Sequence, residues 1–249
     1  MEVINLGSGS SGNCYIISNG DKHVLIEAGV SREKALMRNG GNLPRIDLIV
    51  VSHEHQDHAQ YIKSWLDRTS CPILASNGTL DGINSRWCSL PEYRCIRSKT
   101  GVFLKIKGMS VAMFDVNHDA NEPTGFVIDV NGEKCLYVTD TFKVNYHFKN
   151  INTFLVEANY SRELLEEWYR TSKTGRIVGR RLSSAHFEVN DSIGFVKNSL
   201  GLSTDSVYLI HISTNDGDPD AFLDLFQKNI PVPIYVCNRY GGIKKEPTS

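Results

Sequence analysis

Seven residues decide most of what this chain can become: Ser52-His53-Glu54-His55-Gln56-Asp57-His58, set directly behind the apolar run 46–51. A short, mostly apolar run bounded by turn residues reads as a buried strand. The loop leaving it can turn His53, His55, Asp57 and His58 inward, three imidazoles and one carboxylate within six residues. These are the donor types that a borderline-soft divalent cation such as zinc takes. A solvated polar loop has no need of three of the chain's eight histidines at that spacing.

One loop cannot complete two metal sites, so further donors must arrive from elsewhere in the fold. The sequence offers them at the ends of apolar runs. His118 follows Phe114-Asp115-Val116, Asp140 follows Leu136-Tyr137-Val138, and His211 follows Val207-Tyr208-Leu209-Ile210. A lone polar residue at a strand terminus is ordinarily structural. Three of them joined to the histidine loop make a ligand set at strand ends, where active-site loops sit on such scaffolds.

Around these donors the chain reads as two β-rich halves. Apolar runs at 3–6, 14–18 and 23–27, separated by Gly, Ser and Asn, predict an opening meander. Ser31 ahead of Glu33 starts a helix to about Arg38, which Gly40, Gly41 and Pro44 end. Strands at 102–106, 110–115, 126–130 and 134–138 form a second meander, the last two joined by the hairpin pair Asn131-Gly132. Then come strand 153–157, helices from Ser161 and from about Asn190, strand 206–210, a helix capped by Asp218 with Pro219 at its first position, and strand 234–236. The expected class is α/β, an αββα sandwich: two mixed sheets face to face with helices on the outer faces, in one domain over residues 1–249. At 249 residues, 41% of them hydrophobic, the chain can fill such a core.

Charge narrows the ligand. Lys and Arg number 27 against 28 Asp and Glu, a formal net charge of -1, whereas a chain that wraps a long polyanion carries a basic excess. No apolar run reaches the roughly 18 residues of a membrane span, and no basic start leads into an apolar stretch, so a soluble cytoplasmic protein is expected. The six cysteines, without a CxxC pair, are expected as reduced core residues.

The HxHxDH signature, with later His, Asp and His each behind a strand, resembles the metallo-β-lactamase superfamily through most of the chain. Gly7-Ser8-Gly9-Ser10-Ser11-Gly12-Asn13, Leu25-Ile26-Glu27-Ala28-Gly29, Asn117-His118-Asp119-Ala120-Asn121-Glu122-Pro123 and Ile210-His211-Ile212-Ser213 are similar to its WalJ/YycJ-like branch. RNase Z-like enzymes and the viral anti-Pycsar cyclic nucleotide phosphodiesterases stand among these relatives. The resemblance implies the metallo-β-lactamase fold and two divalent ions, zinc or alternatively manganese. His53, His55 and His118 would hold the first, Asp57, His58 and His211 the second, and Asp140 would bridge them. Asp57 would also orient the attacking hydroxide or take its proton. Glu157-Ala158-Asn159-Tyr160 and Ser184-Ala185-His186-Phe187 resemble the two loops that RNase Z-type enzymes place over the phosphate, which implies His186 as the acid for the leaving oxygen and Glu157 as its support. The chemistry agrees: an alkoxide leaves poorly without a proton, and a carboxylate neighbour raises an imidazole's pKa into the useful range. The family usually has aspartate where this chain has Glu27, a residue that supports the metal loop from behind.

The leading expectation for the substrate is a small nucleotide phosphodiester, above all a cyclic mononucleotide of the cyclic CMP or UMP type, as in the anti-Pycsar relatives that evade host defence in the host cytoplasm. The alternative is a WalJ/YycJ-like DNA exonuclease or an RNase Z-like ribonuclease, with a lactonase-type carbon-ester hydrolase behind both. A homodimer is expected by likeness to phosphodiesterases of this shape, with residues 168–181 as the candidate contact. In that stretch Arg170, Lys173, Arg176, Arg180 and Arg181 read equally as a nucleic-acid grip and as a solvated loop face. The literal GxGxxG of Gly7 to Gly12 is set aside, because Cys14-Tyr15-Ile16-Ile17 continues as a strand where a dinucleotide fingerprint must open a helix. Those glycines are expected to turn tightly near the metal mouth. His23 and His147 have no supporting context.

Overall fold

The computed structural model describes residues 1–171 and 183–245. Among them the strands form two sheets. The first sets β1 (Glu2–Gly7), β2 (Cys14–Asn19), β3 (Lys22–Ile26), β4 (Leu48–Val50), β5 (Ile73–Ser76) and β6 (Cys95–Ser98) side by side in chain order. The second does the same with β7 (Phe103–Ile106), β8 (Met109–Asp115), β9 (Thr124–Val130), β10 (Glu133–Val138), β11 (Thr153–Glu157), β12 (Ser206–Ile210), β13 (Ile234–Cys237) and β14 (Ile243–Lys244). Each opens as an antiparallel meander and becomes parallel, from β3 in the first sheet and from β10 to β13 in the second.

The central strands read as continuous apolar runs because both of their faces are covered. Successive side chains point to opposite faces, so Val24, Ile26, Leu48, Val50 and Leu74 meet Val111, Phe126, Ile128, Tyr137, Leu155 and Ile210 between the sheets. Their neighbours Leu25, Ile49, Ile73 and Ala75 face outward onto Ala35, Ile62, Trp65, Leu80 and Ile83 of the outer helices. On the far side Leu136, Val138, Phe154, Val156, Val207 and Leu209 pack on Ile193, Val196, Phe222, Leu223 and Phe226. The result is the expected αββα sandwich.

Local signals set the helix ends as expected. The Ser31 side chain accepts from Lys34 N–H at the start of Arg32–Arg38, and Asp218 accepts from the N–H groups of Asp220 and Ala221 ahead of Pro219–Asn229. Strand β5, the helix Asn77–Arg86 and strand β6 carry no comparable signal and enter as additions to the reading above. Arg170 lies in the helix Arg162–Thr171, while Lys173, Arg176, Arg180 and Arg181 lie outside the described residues. No helix among the described residues is long and apolar enough to cross a membrane, and the six cysteines are free thiols.

Topology decides where chemistry can happen. Parallel strands bring their carboxyl ends to one edge. Glu27 leaves β3 there, residues 52–58 leave β4, Asp140 leaves β10, Glu157 ends β11 and His211 leaves β12. The loop after β8, which runs parallel to β10 with β9 between them, brings His118 to the same edge.

Candidate metal centre

Three residues at that edge take an uncommon backbone conformation. Glu27, Asp140 and His211 have φ of 66°, 48° and 54°. A side chain in this left-handed region is held at a cost of about 1–3 kcal/mol by its surroundings. Each of the three stands within two residues of a strand end. The backbone is fixed in place: Glu27 N–H donates to Val50 C=O at 2.9 Å, and His211 N–H donates to Ser8 Oγ at 2.9 Å.

All seven expected ligands converge. One donor atom from each of His53, His55 and His118 lies within 4.8 Å of the other two, and the same holds for Asp57, His58, Asp140 and His211. Asp140 joins the groups: its Oδ2 is 3.3 Å from His53 Nε2, 3.0 Å from His58 Nε2 and 3.7 Å from His118 Nε2, while its Oδ1 is 3.1 Å from His211 Nδ1. Asp57 Oδ2 stands 3.4 Å from His58 Nε2 and 3.3 Å from His211 Nε2.

The donor set fits divalent cations. His53 Nε2 is buried, points at Asp140 and has no hydrogen-bond partner, and His118 Nδ1 is likewise buried and unpartnered. Buried ring nitrogens are normally satisfied, and here the opposite nitrogen of His53 is taken by Ser52 Oγ at 2.9 Å, leaving Nε2 free for the cage. Electrostatics point the same way. Burial lowers imidazole pKa values, and it holds His118 down at about 4 with help from the neighbouring His53 and His186 rings. At His211 burial is outweighed by Asp140, Asp57 and Glu157, which raise it to about 9, and at His58 by Asp57, Asp140 and Glu27, which raise it well above its usual value. A cage that draws protons onto buried rings is short of positive charge, the deficit a metal ion fills.

A further group lies against this cage. Glu157, fully buried, accepts from His186 Nδ1 at 2.7 Å, from His211 Nδ1 at 3.0 Å and from Asn159 Nδ2 at 3.2 Å, all at Oε1. Its Oε2 accepts the N–H groups of Thr141 and Phe187 at 3.1 and 3.2 Å. With Nδ1 of both rings donating to the carboxylate, their Nε2 atoms are left for chemistry or for metal. Asp140, Glu157, His186 and His211 thus form a hydrogen-bonded set overlapping the cage.

Several supports were not assigned from sequence. Asn13 N–H donates to Asp57 C=O at 2.7 Å and its side-chain amide lies 3.2 Å from His58 Nε2, while Tyr15 OH donates to Ser8 Oγ, the acceptor of His211 N–H. The glycine-rich stretch is thus the wall of the metal mouth, and it enters β2 as expected. Gly29 sits so close to this loop that a Cβ would fall 1.8 Å from Asp57 C=O. The signal for these roles was their position between the opening strands.

Glu27 fills its expected place despite the longer side chain. Both its oxygens accept from Ser52 N–H, at 3.2 and 3.3 Å, and Oε2 lies 3.5 Å from His58 Nδ1. Glu27→Ala is expected to weaken divalent-metal affinity about 10–100-fold, the usual effect of losing a partner behind a ligand. Competition with a chromophoric chelator measures it, and unchanged affinity would remove Glu27 from the metal support.

Residues 22–212 match the family described as beta-lactamase superfamily domain. Exodeoxyribonuclease YycJ of Bacillus anthracis is 26% identical over 220 residues, covering 85% of this chain and 82% of its own. Exodeoxyribonuclease WalJ of Streptococcus pneumoniae serotype 2 is 28% identical over 221 residues, covering 84% and 80%. Among solved structures, the metallo-β-lactamase fold protein YhfI from Bacillus subtilis aligns over 97% of this chain and 98% of its own, with a TM-score of 0.73 at 14% identity, a likeness of fold.

Proposed function

The chain belongs to the β-lactamase superfamily, and from that premise we propose that it is a metal-dependent phosphodiester hydrolase that degrades DNA from an end. The convergence of His53, His55, Asp57, His58, His118, Asp140 and His211 on one edge carries the reading. His53, His55 and His118 would hold one divalent cation, Asp57, His58 and His211 a second, and Asp140 would lie between them. A bound pair of zinc or manganese ions supplies neutralising charge at the attacked phosphorus and lowers the pKa of water toward neutrality.

The chain's own groups do the rest. Asp57 is the most open of the carboxylates, its side chain 22% exposed against 4% for Asp140, and it orients the attacking water and accepts its proton. His186 gives the proton of its outward nitrogen to the leaving oxygen, its ring held by Glu157 through Nδ1. Glu157 serves His211 as well, so one buried carboxylate fixes a metal-side ring and an acid ring together.

The DNA reading is supported by relatives that are exodeoxyribonucleases and are similar across most of their length and of this chain. A cyclic mononucleotide is the second reading, favoured by the formal net charge of -1. Salt separates them. Hydrolysis of single-stranded DNA below saturation is expected to fall with a log–log slope of about -0.7 for each phosphate contacted, whereas a cyclic nucleotide with its single charge loses little. Turnover of linear DNA and of cyclic CMP and UMP by metal-loaded protein at two salt concentrations is the measurement. Turnover of the cyclic nucleotides alone would overturn the DNA reading, and hydrolysis of no phosphodiester would overturn the proposal.

A further inference from the structure

The segment that leaves Asp140 combines rings and cations without acids. Residues 141–150 read Thr-Phe-Lys-Val-Asn-Tyr-His-Phe-Lys-Asn: three aromatics, two lysines, a histidine and no carboxylate, in a protein of net charge -1. Aromatic rings interleaved with cations are the composition that binds single-stranded nucleic acid, rings for the bases and cations for the phosphates.

The fold presents the segment for that use. Thr141 Oγ1 accepts Asn117 N–H at 3.0 Å, and Asn117 Nδ2 donates to Lys143 C=O at 3.1 Å, which ties the start of the segment to the loop carrying His118. Tyr146 OH donates to Asp115 Oδ1, and Phe148 packs against Phe114 with ring centroids 4.7 Å apart. Between these anchors Phe142 and Tyr146 stay 42% and 40% exposed, and Lys143 and His147 are exposed beside them. All four line a groove of about 400 Å³ whose other wall includes Phe187, the residue after His186, and Asn190. Tyr146 and His147 are shared with an adjoining cavity of about 680 Å³, which Lys149 also lines.

We infer that this groove is the path of the substrate strand next to the scissile phosphate: single-stranded nucleic acid lies in it, bases stacked on Phe142 and Tyr146 and phosphates on Lys143 and Lys149. The inference rests on the phosphodiester reading above and deepens it. Continuity with the cage selects the occupant, since the groove begins two residues after Asp140 and one residue after His186. Asp191 also lines the groove, but its carboxylate is paired with the Arg162 guanidinium, so Lys143 remains to meet a phosphate, and the exposed rings suit unpaired bases, which every sequence can supply. A fraying DNA end offers such a strand.

Fluorescence anisotropy of a labelled phosphorothioate oligothymidylate of about a dozen nucleotides, a length within the usual reach of such grooves and resistant to cleavage, reads the groove on the metal-loaded protein. Phe142→Ala is expected to weaken binding about 5- to 100-fold, and Phe142→Trp to retain it. Lys143→Ala should lower the log–log salt slope by about 0.7. An oligonucleotide with abasic sites should bind the unaltered protein more weakly, while Phe142→Ala no longer distinguishes abasic from thymidine. Equal affinity of Phe142→Ala and the unaltered protein, or no discrimination against abasic sites, or no binding of the oligothymidylate at all, overturns the inference. A protein that binds in this ring-dependent way yet hydrolyses no diester would keep the groove and lose the enzymatic reading.

Discussion

Replacing Asp140 with alanine is expected to lower phosphodiester hydrolysis by about 10³-fold or more in kcat/KM, roughly 4 kcal/mol of transition-state stabilisation, and to lower bound metal in the same preparation. Its carboxylate reaches from one ligand group to the other: its two oxygens lie within 3.7 Å of ring nitrogens from His53, His58, His118 and His211. The rings hold this carboxyl well below its usual range, His211 and His58 foremost, even though burial works the other way. Alanine would leave four imidazoles without their common anion and the proposed pair of cations without the ligand between them. Elemental analysis and steady-state hydrolysis on one sample give the two readouts. Full activity with two metals per chain would show that the carboxylate is structural.

The convergence of these seven side chains was legible because they stand behind apolar runs. Strands Thr153–Glu157 and Ser206–Ile210 could be bounded from sequence to the residue, and so could the Ser31 and Asp218 caps, because capping chemistry and two-sided burial are local signals. The stretch from β5 to β6 was not legible for the opposite reason. The helix Asn77–Arg86 is poor in helix formers and contains two glycines, Gly78 and Gly82. Its cause is tertiary. A Cβ at Gly82 would fall 2.4 Å from Glu54 Cγ, so the helix needs glycine there in order to approach the metal loop.

The same contact gives a role to Glu54, a residue to which the sequence alone assigns none. Glu54 is fully buried behind the histidines, accepts Asn121 N–H at 3.0 Å through its side chain, and offers its C=O to Trp87 Nε1 at 2.8 Å. It therefore fastens the loop of His118 to the loop of His53 and His55. No periodicity announces such a role, since the partner lies 67 residues away. The aromatic and basic segment after Asp140 is hard to read for a different reason. The basic run at 170–181 holds four arginines, whereas the two lysines of 141–150 are interleaved with rings in a chain of net charge -1.

The second large effect belongs to His186, and its dependence on the leaving group separates acid catalysis from support of the cage. His186→Ala is expected to lower kcat for DNA about 10²- to 10⁴-fold, the range for loss of a positioned general acid. With a p-nitrophenyl ester, whose leaving group departs without a proton, the loss should shrink to roughly tenfold or less. Glu157→Gln should not show this selectivity. Its Oε1 holds His211 at 3.0 Å as well as His186 at 2.7 Å, so both substrates suffer when it is replaced. The pair of variants therefore distinguishes a group that moves a proton from a group that keeps two rings in register. Equal losses on both esters for His186→Ala would assign that histidine to the architecture of the cage and leave the leaving oxygen to be protonated by solvent.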